Sequence, residues 1–370
     1  MKQVTLETLF CETTEDTFGS DSCRLEIYAD GELDQALRAE LNNGEQWAVN
    51  ATVLFASQVD VRLFDEDGGL PGDDDDALGV VQIAADDAFG AVGVFDQDGA
   101  DYRLTYTVTD RSDLPATDVV EQEIQDFEAS EAPGVWAAVD KAALIADLRA
   151  TVADPNEVNQ ASSMFCGPTS IVYTLVRTEP RRYVRLCRSL FETGSFESRT
   201  YTVTASEELR AASLGQGMSV ADWLLIATMR ESENAIFGVD PDAGEVLGGL
   251  QGLTTPWEMD GWTQEILLKD TTAISTTFLW GEQDAIRYAE DVVAAGGVAF
   301  MMIHDVLLTD DDDSTVPPFP THWVVYRGGL VIDEDAGTID FDVYTWGGEP
   351  HVSKSLDRFE SCMFGIVTGF

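Results

Sequence analysis

The sequence predicts a multi-domain chain, an all-β sandwich followed by an α+β domain, on three observations. Residues 1 to about 110 fall into short stretches of period-two hydrophobicity, cut by Asp and Gly turns. Beyond Gln160 the apolar spacing lengthens to that of helices, then returns to strands in the last third of the chain. Between the two, from Asp110 to Asn159, composition shifts toward polar residues and Ala. With 370 residues, 44% of them hydrophobic, the chain has the length for two domains and the apolar content for their cores.

Each element follows from its local pattern. Cys23 to Tyr28, Val59 to Phe64 and Tyr102 to Val108 alternate residue by residue, as half-buried antiparallel strands do, and residues 1–110 form the expected sandwich. Residues 111–145 read as a linker leading into a helix over Val139 to Val152, and residues 146–370 as the second domain. Helices are expected at Pro168 to Thr178, Ser219 to Glu231 and Glu282 to Ala295, the last stopped by Gly296-Gly297. Strands are expected at Val298 to Ile303, His322 to Tyr326, Ile339 to Thr345 and Phe364 to Val367, forming one antiparallel sheet. Residues 183–280 read as an insertion that walls or covers a cleft.

Acidic residues number 68 against 21 Lys plus Arg, giving a formal net charge of −47, and Lys is confined to Lys2, Lys141, Lys269 and Lys354. Such a surface repels nucleic-acid phosphates and anionic lipid within a Debye length, so no nucleic-acid partner is expected and membrane association is expected only where a cation bridges the two. The excess is spread along the chain, which suggests adaptation to high salt, where screening falls to roughly 3 Å. No run approaches the ~18 apolar residues of a membrane helix, and Met1-Lys2-Gln3-Val4-Thr5 lacks an apolar signal core. The expected location is cytoplasmic, or outside by a route other than Sec. Cys11, Cys23, Cys166, Cys187 and Cys362 are odd in number and contain no CxxC pair, so neither a disulfide framework nor a zinc site is expected.

The segment from Phe64 to Gly79 follows one strand, precedes another and carries Asp65, Asp67 and the run Asp73 to Asp76. Carboxylates crowded on one loop repel unless a hard cation with oxygen ligands neutralises them. The Asp-x-Asp, the later Asp and the Leu78-Gly79 pair resemble the third loop of a C2 domain, the calcium-dependent phospholipid-binding β-sandwich. Glu15 or Asp16 followed by Gly19-Ser20-Asp21 resembles its first loop. The resemblance implies Ca2+ held by Asp21, Asp65, Asp67 and a member of the Asp73 to Asp76 run, its ends Asp73 and Asp76 included. Pro-Tyr after Asp21 is missing, as is a basic patch for lipid. In an Asp-rich chain the same acids also read as solvated loop residues.

Cys166 stands at the start of an expected helix, where backbone N–H groups and the positive helix end favour a thiolate. Gly167 permits close backbone approach and Pro168 suits the first helical turn. Gln160, six residues earlier, with Cys166-Gly167-Pro168-Thr169, resembles the papain-like cysteine peptidase superfamily, especially its double-glycine leader peptidases. That resemblance implies a Cys166 nucleophile, a Gln160 oxyanion donor and a general base at His322, which opens a strand as His-Trp-Val-Val. It also implies an orienting Asn or Asp on the next strand. Thr345-Trp346-Gly347 matches the family's Ser-Trp-Gly, but the Asn position holds Tyr344, so the orienting role passes to Asp342, with Asp340 behind it.

The expected activity is that of a cysteine peptidase or amidase acting on a peptide, isopeptide or related amide bond in a peptide or protein substrate. An effector or toxin exported by a dedicated machine would suit this architecture. The alternatives are a calcium-stabilised binding or structural protein without activity, favoured by Tyr344, and an acyltransferase or crosslinking enzyme using the same groups.

Overall fold

The computed structural model describes residues 1–15, 19–66, 75–111, 119–160, 165–214, 217–236, 254–275, 281–309 and 319–370. They divide into two compact units, Met1–Val119 and Val120–Phe370.

The first unit consists of β1 (Lys2–Thr13), β2 (Asp21–Ala29), β3 (Glu32–Leu41), β4 (Gln46–Phe55), β5 (Gln58–Asp65), β6 (Asp76–Ala84), β7 (Ala88–Phe95) and β8 (Asp101–Asp110). They form two four-stranded sheets, β4-β1-β8-β7 and β3-β2-β5-β6, with every pairing antiparallel. Alternation turns Val4, Leu25, Ile27, Val59, Val61, Leu63 and Leu104 into one core between the sheets. In β1 the apolar spacing breaks between Leu6 and Leu9, which strict alternation would put on opposite faces. A register shift between Leu6 and Thr8 absorbs one residue, so both Leu6 and Leu9 are buried.

The sheets are also tied through a buried polar link, in which the Tyr102 hydroxyl on β8 donates to Asp21 Oδ2 on β2 at 2.6 Å. The antiparallel registers bring the β1–β2, β3–β4, β5–β6 and β7–β8 loops to one end of the unit. At the other end Asp30 closes a turn by accepting N–H bonds from Ala56, Ser57 and Gln58.

The second unit opens with α1 (Val119–Ala129), α2 (Lys141–Ala153), α3 (Cys166–Thr178) and α4 (Pro180–Thr193). Two short strands, β9 (Ser195–Glu197) and β10 (Thr202–Thr204), precede α5 (Glu207–Ala211), α6 (Val220–Ile236) and α7 (Pro256–Glu265). Then follow β11 (Thr271–Ser275), α8 (Glu282–Ala294), β12 (Val298–Ile303), β13 (His322–Asp333), β14 (Thr338–Tyr344), β15 (His351–Ser355), α9 (Leu356–Cys362) and β16 (Met363–Gly369).

Six strands form one antiparallel sheet in the order β11-β16-β12-β13-β14-β15. Ile171, Leu175, Leu224, Met259 and Trp262 pack with Phe300 and Val325 on one face. Ile286 and Phe359 pack with Val324 and Phe341 on the other. Burial on both faces explains why β12 is apolar throughout, every residue from Val298 to Ile303 being buried. Helix starts are capped locally: Asp140 accepts from Ala143 N–H, and Thr255 with Glu258 forms a capping box before Pro256.

The stretch 111–145 differs from the expected linker. Ile124, Phe127 and Trp136 are buried in the core of the second unit, so from Val120 onward the segment is part of that unit. Its acidic and Gln-rich exposed face masks those few apolar anchors in the sequence. No helix among the described residues is long and apolar enough to cross a membrane.

Removing the hydroxyl in Tyr102→Phe strips a hydrogen bond from a fully buried carboxylate. Chemical denaturation should register a loss of about 1–3 kcal/mol, with the folded far-UV spectrum retained.

Candidate active site and an acidic rim

In the second unit, Cys166 is the first residue of α3 and is buried. Gly167 is required beside it, because any Cβ there would collide with the Thr254 side chain just before α7. Thr254 in turn accepts a hydrogen bond on its carbonyl from Trp323 Nε1 at 2.7 Å. The start of α3, the start of α7 and the start of β13 are thereby locked together. Burial pushes the Cys166 thiol up, and it is opposed by hydrogen bonds from the backbone N–H groups of Trp323, Gly167 and Cys166 and by the charge of Arg230.

His322 opens β13 next to Trp323, whose N–H reaches the Cys166 sulfur. Its Nε2 lies 2.5 Å from Thr345 Oγ1, and its ring stacks on Trp346 with centroids 4.5 Å apart and planes at 19°. Burial drives its pKa down to about 4, only partly countered by Asp305. The imidazole is therefore neutral at neutral pH, able to accept a proton.

Thr345, Trp346, Gly347 and Gly348 form a tight turn, closed by paired bonds between Thr345 and Gly348 at 2.9 and 3.0 Å. Trp346 and Gly347 have φ of +48° and +74°. A tryptophan in the left-handed region is strained, and here the strained residue is the one stacked on His322. Gly347 lies against Asn159, where an added Cβ would come 3.0 Å from Asn159 Nδ2. Thus the segment carrying the buried Gln160 runs beside the turn that holds His322. Asp222, in the first turn of α6, anchors that segment by accepting the Asn159 N–H at 3.1 Å. Burial raises the Asp222 pKa to about 7, against the Asn159 and Ser219 hydrogen bonds, while Asp147 and Glu157 add to the rise.

Asp342 departs from its expected role. Its Oδ1 lies 2.7 Å from His351 Nδ1, because β14 and β15 set Asp342 opposite His351. Asp340 lies 3.5 Å from the same ring, at Nε2. Both carboxylates serve an exposed histidine whose pKa they raise, Asp342 first. Thr345, three residues beyond Asp342 and about 10 Å further along an extended chain, meets His322 instead. Tyr344, at the expected Asn position, is a packing residue: it stacks on Tyr173 of α3 with centroids 3.4 Å apart and donates to the Val158 carbonyl. A hydroxyl adjoining Trp-Gly was the signal in the sequence for Thr345.

In the first unit, Asp21 opens β2, and its Oδ2 accepts from the Tyr102 hydroxyl and, at 2.9 Å, from the Glu15 N–H. Asp65 closes β5, and its Oδ1 accepts from the Ser22 N–H at 2.7 Å. Both are buried and shape the rim from within. Asp76 joins Glu15 and Asp98 in a cluster whose oxygen atoms lie within 4.8 Å of one another. Asp98, on the β7–β8 loop, was not expected from the sequence. Asp67 and Asp73 lie outside the described residues. Arg24 neutralises part of the rim, reaching Glu66 at 2.7 Å, Asp75 at 2.5 Å and also Glu26. Three carboxylates offering only oxygen form a donor set that fits a hard divalent cation.

No protein-family model matches the chain, and no curated protein matches it. Among solved structures, a C2 domain is similar at 17% identity over 30% of this chain and 100% of that one, with a TM-score of 0.25. The calcium-bound pair of C2 domains of extended synaptotagmin 2 is similar at 17% identity over 36% of this chain and 53% of that one, with a TM-score of 0.24. Human GIVD cytosolic phospholipase A2 is similar at 11% identity over 30% of this chain and 17% of its own, with a TM-score of 0.22.

The two buried titrating groups make opposite contributions to stability. His322 binds its proton at about 4 when folded and at its ordinary 6.5 when unfolded, so stability falls as pH drops through that window, by up to about 3 kcal/mol. Asp222 binds its proton at about 7 when folded and at 3.8 when unfolded, so its contribution is lost as pH rises from 3.8 to 7. Relative to wild type, His322→Gln should therefore lose stability from pH 4 to 7. Asp222→Asn should gain it over the same range, as read by urea midpoints.

Proposed function

We propose that the second unit is a papain-like cysteine hydrolase that cleaves a peptide, isopeptide or related amide bond. The observation that carries this reading is the packing of Thr254 on Gly167 together with the Trp323 Nε1 hydrogen bond to the Thr254 carbonyl at 2.7 Å, which joins the start of β13, with His322, to the start of α3, with Cys166. Cys166 is the nucleophile, His322 the general base and Thr345 the residue that orients its ring. With Nε2–H donating to Thr345 Oγ1, Nδ1 has a lone pair free to take the thiol proton.

The sulfur then attacks the carbonyl carbon, and the developing oxyanion is received by Gln160 and a backbone N–H at the start of α3. Collapse of the tetrahedral intermediate breaks the carbon–nitrogen bond as His322 returns its proton to the leaving amine. Water, activated by the same ring, releases the acyl group from sulfur. An amine acceptor in place of water would make the product a new amide.

Trp346, 48% exposed, and Trp257, 73% exposed in the first turn of α7, offer aromatic surface beside this chemistry for an apolar part of the substrate. The close packing around both reacting side chains favours a second reading, a binding protein without activity. Labelling separates the two. Intact-mass analysis with limiting iodoacetamide in molar KCl should find Cys166 modified first near neutral pH. In His322→Ala the rate should drop at least about tenfold and recover only at alkaline pH, and Thr345→Val should fall between the two. Labelling of Cys166 no faster than that of the other four thiols would leave the binding protein.

In the first unit we infer a C2-like calcium site at Glu15, Asp76 and Asp98. Calcium at a hundred times its dissociation constant should raise stability by about 2.7 kcal/mol. Glu15→Gln with Asp98→Asn should abolish the gain. A wild type indifferent to calcium would mean that these acids serve solubility alone.

A further inference from the structure

Two buried polar groups take no part in the proposed chemistry, the Asp222 carboxyl and the Tyr344 hydroxyl. Asp222 stands in the first turn of α6, where a carboxylate ordinarily serves the free N–H groups of its own helix. Two of those groups are met by others: Asp147 of α2 accepts from Val220 N–H at 2.6 Å, and the Ser219 hydroxyl accepts from Asp222 N–H at 3.0 Å. Asp222 Oδ2 reaches out of the helix instead, to the Asn159 N–H at 3.1 Å. Tyr344, the last residue of β14, donates its hydroxyl to the Val158 carbonyl.

The Val158 carbonyl and the Asn159 N–H belong to one peptide unit. In a trans peptide they point in opposite directions across a rigid plane, so bonds from α6 and β14 together fix the rotation of that plane. Gln160 is attached to its far end. Apolar packing could bury this stretch at lower desolvation cost, but it has no direction, whereas a carboxyl and a hydroxyl at opposite ends of a peptide set an angle.

Given a hydrolase at Cys166, on which this rests, we propose that Asp222 and Tyr344 are positioning residues: by holding the Val158–Asn159 peptide from both ends they aim the Gln160 side chain at the oxyanion. Thr345, which follows Tyr344, meets His322, so the end of β14 sets the proton acceptor and the oxyanion donor against each other. Where an Asn was expected to orient His322, the chain carries a tyrosine that acts on the oxyanion side.

Two reactions of the same sulfur isolate this role. Iodoacetamide is attacked at a saturated carbon, loses iodide and forms no oxyanion. p-Nitrophenyl acetate is attacked at its carbonyl carbon, passes through an oxyanion, leaves its acetyl group on sulfur and releases p-nitrophenolate. Both rates are read on the full chain in molar KCl at about pH 6.5, where burial, reinforced by Asp147 and Glu157, keeps the Asp222 carboxyl chiefly protonated. The ratio of acetylation to alkylation at Cys166 should fall about a hundredfold in Gln160→Ala. It should fall at least about tenfold in Tyr344→Phe and in Asp222→Ala. Either change made on top of Gln160→Ala should lower it no further. Asp222→Asn, neutral and still able to accept from Asn159, should stay within about threefold of wild type.

Far-UV spectra check folding, and Tyr344→Phe, which keeps the ring that stacks on Tyr173, carries the test should Asp222→Ala not fold. Fast alkylation of Cys166 with a wild-type ratio in Tyr344→Phe overturns the positioning role and leaves the hydrolase standing, as does a loss that adds to that of Gln160→Ala. Alkylation of Cys166 no faster than that of the other four thiols removes the hydrolase and the positioning role together.

Discussion

The second unit depends on the packing of α3 against β13. Ile171, Val172, Tyr173, Leu175 and Val176 are each almost wholly removed from water, and burying side chains of this kind contributes about 2 kcal/mol apiece. That burial fixes the helix so firmly that its first residue cannot face solvent. The sulfur of Cys166 then meets backbone donors from its own helix and from β13. The turn after β14 inherits its position from the same contact, since Tyr344 stacks on Tyr173 and carries Thr345 and Trp346 to His322. The candidate site and the stability of the unit share one set of atoms here, and the strain at Trp346 persists because the surrounding packing over-determines it.

Charge is managed differently in the two units. In the first, the shortage of bases is met by concentrating them, so that Arg24 alone serves three carboxylates and also lies over Phe64 at 4.4 Å. A guanidinium suits this task better than an ammonium, as its planar fork can satisfy several oxygens at once. In the second, Glu123 works the other way round, accepting from both Arg181 and Arg185. Burial dominates at Asp222, which holds its proton up to about pH 7.

Much of this was legible from residue order. Val298 to Ile303 reads as a buried strand and is one, and Cys166 and His322 each begin the element expected of them. What escaped was set by register and by turns. Asp342 has the right chemistry and stands on the right strand, but pairing with β15 gives its carboxylate to His351, and no local pattern encodes that partner. Asp98 escaped for a similar reason, because the antiparallel registers bring the β7–β8 loop to the end where Glu15 and Asp76 lie. Ile124, Phe127 and Trp136 are too few among polar neighbours to announce a buried segment.

The bare α-carbon of Gly167 has a consequence for modularity. Thr254 fills the space a side chain would take there, and Thr254 also receives the Trp323 indole. The chain at Thr254 is therefore keyed into the turn that opens with Cys166 rather than appended to a finished core. A designer who trimmed the chain there to obtain a minimal scaffold would be removing the residue that fills the space beside Gly167 and receives the Trp323 indole.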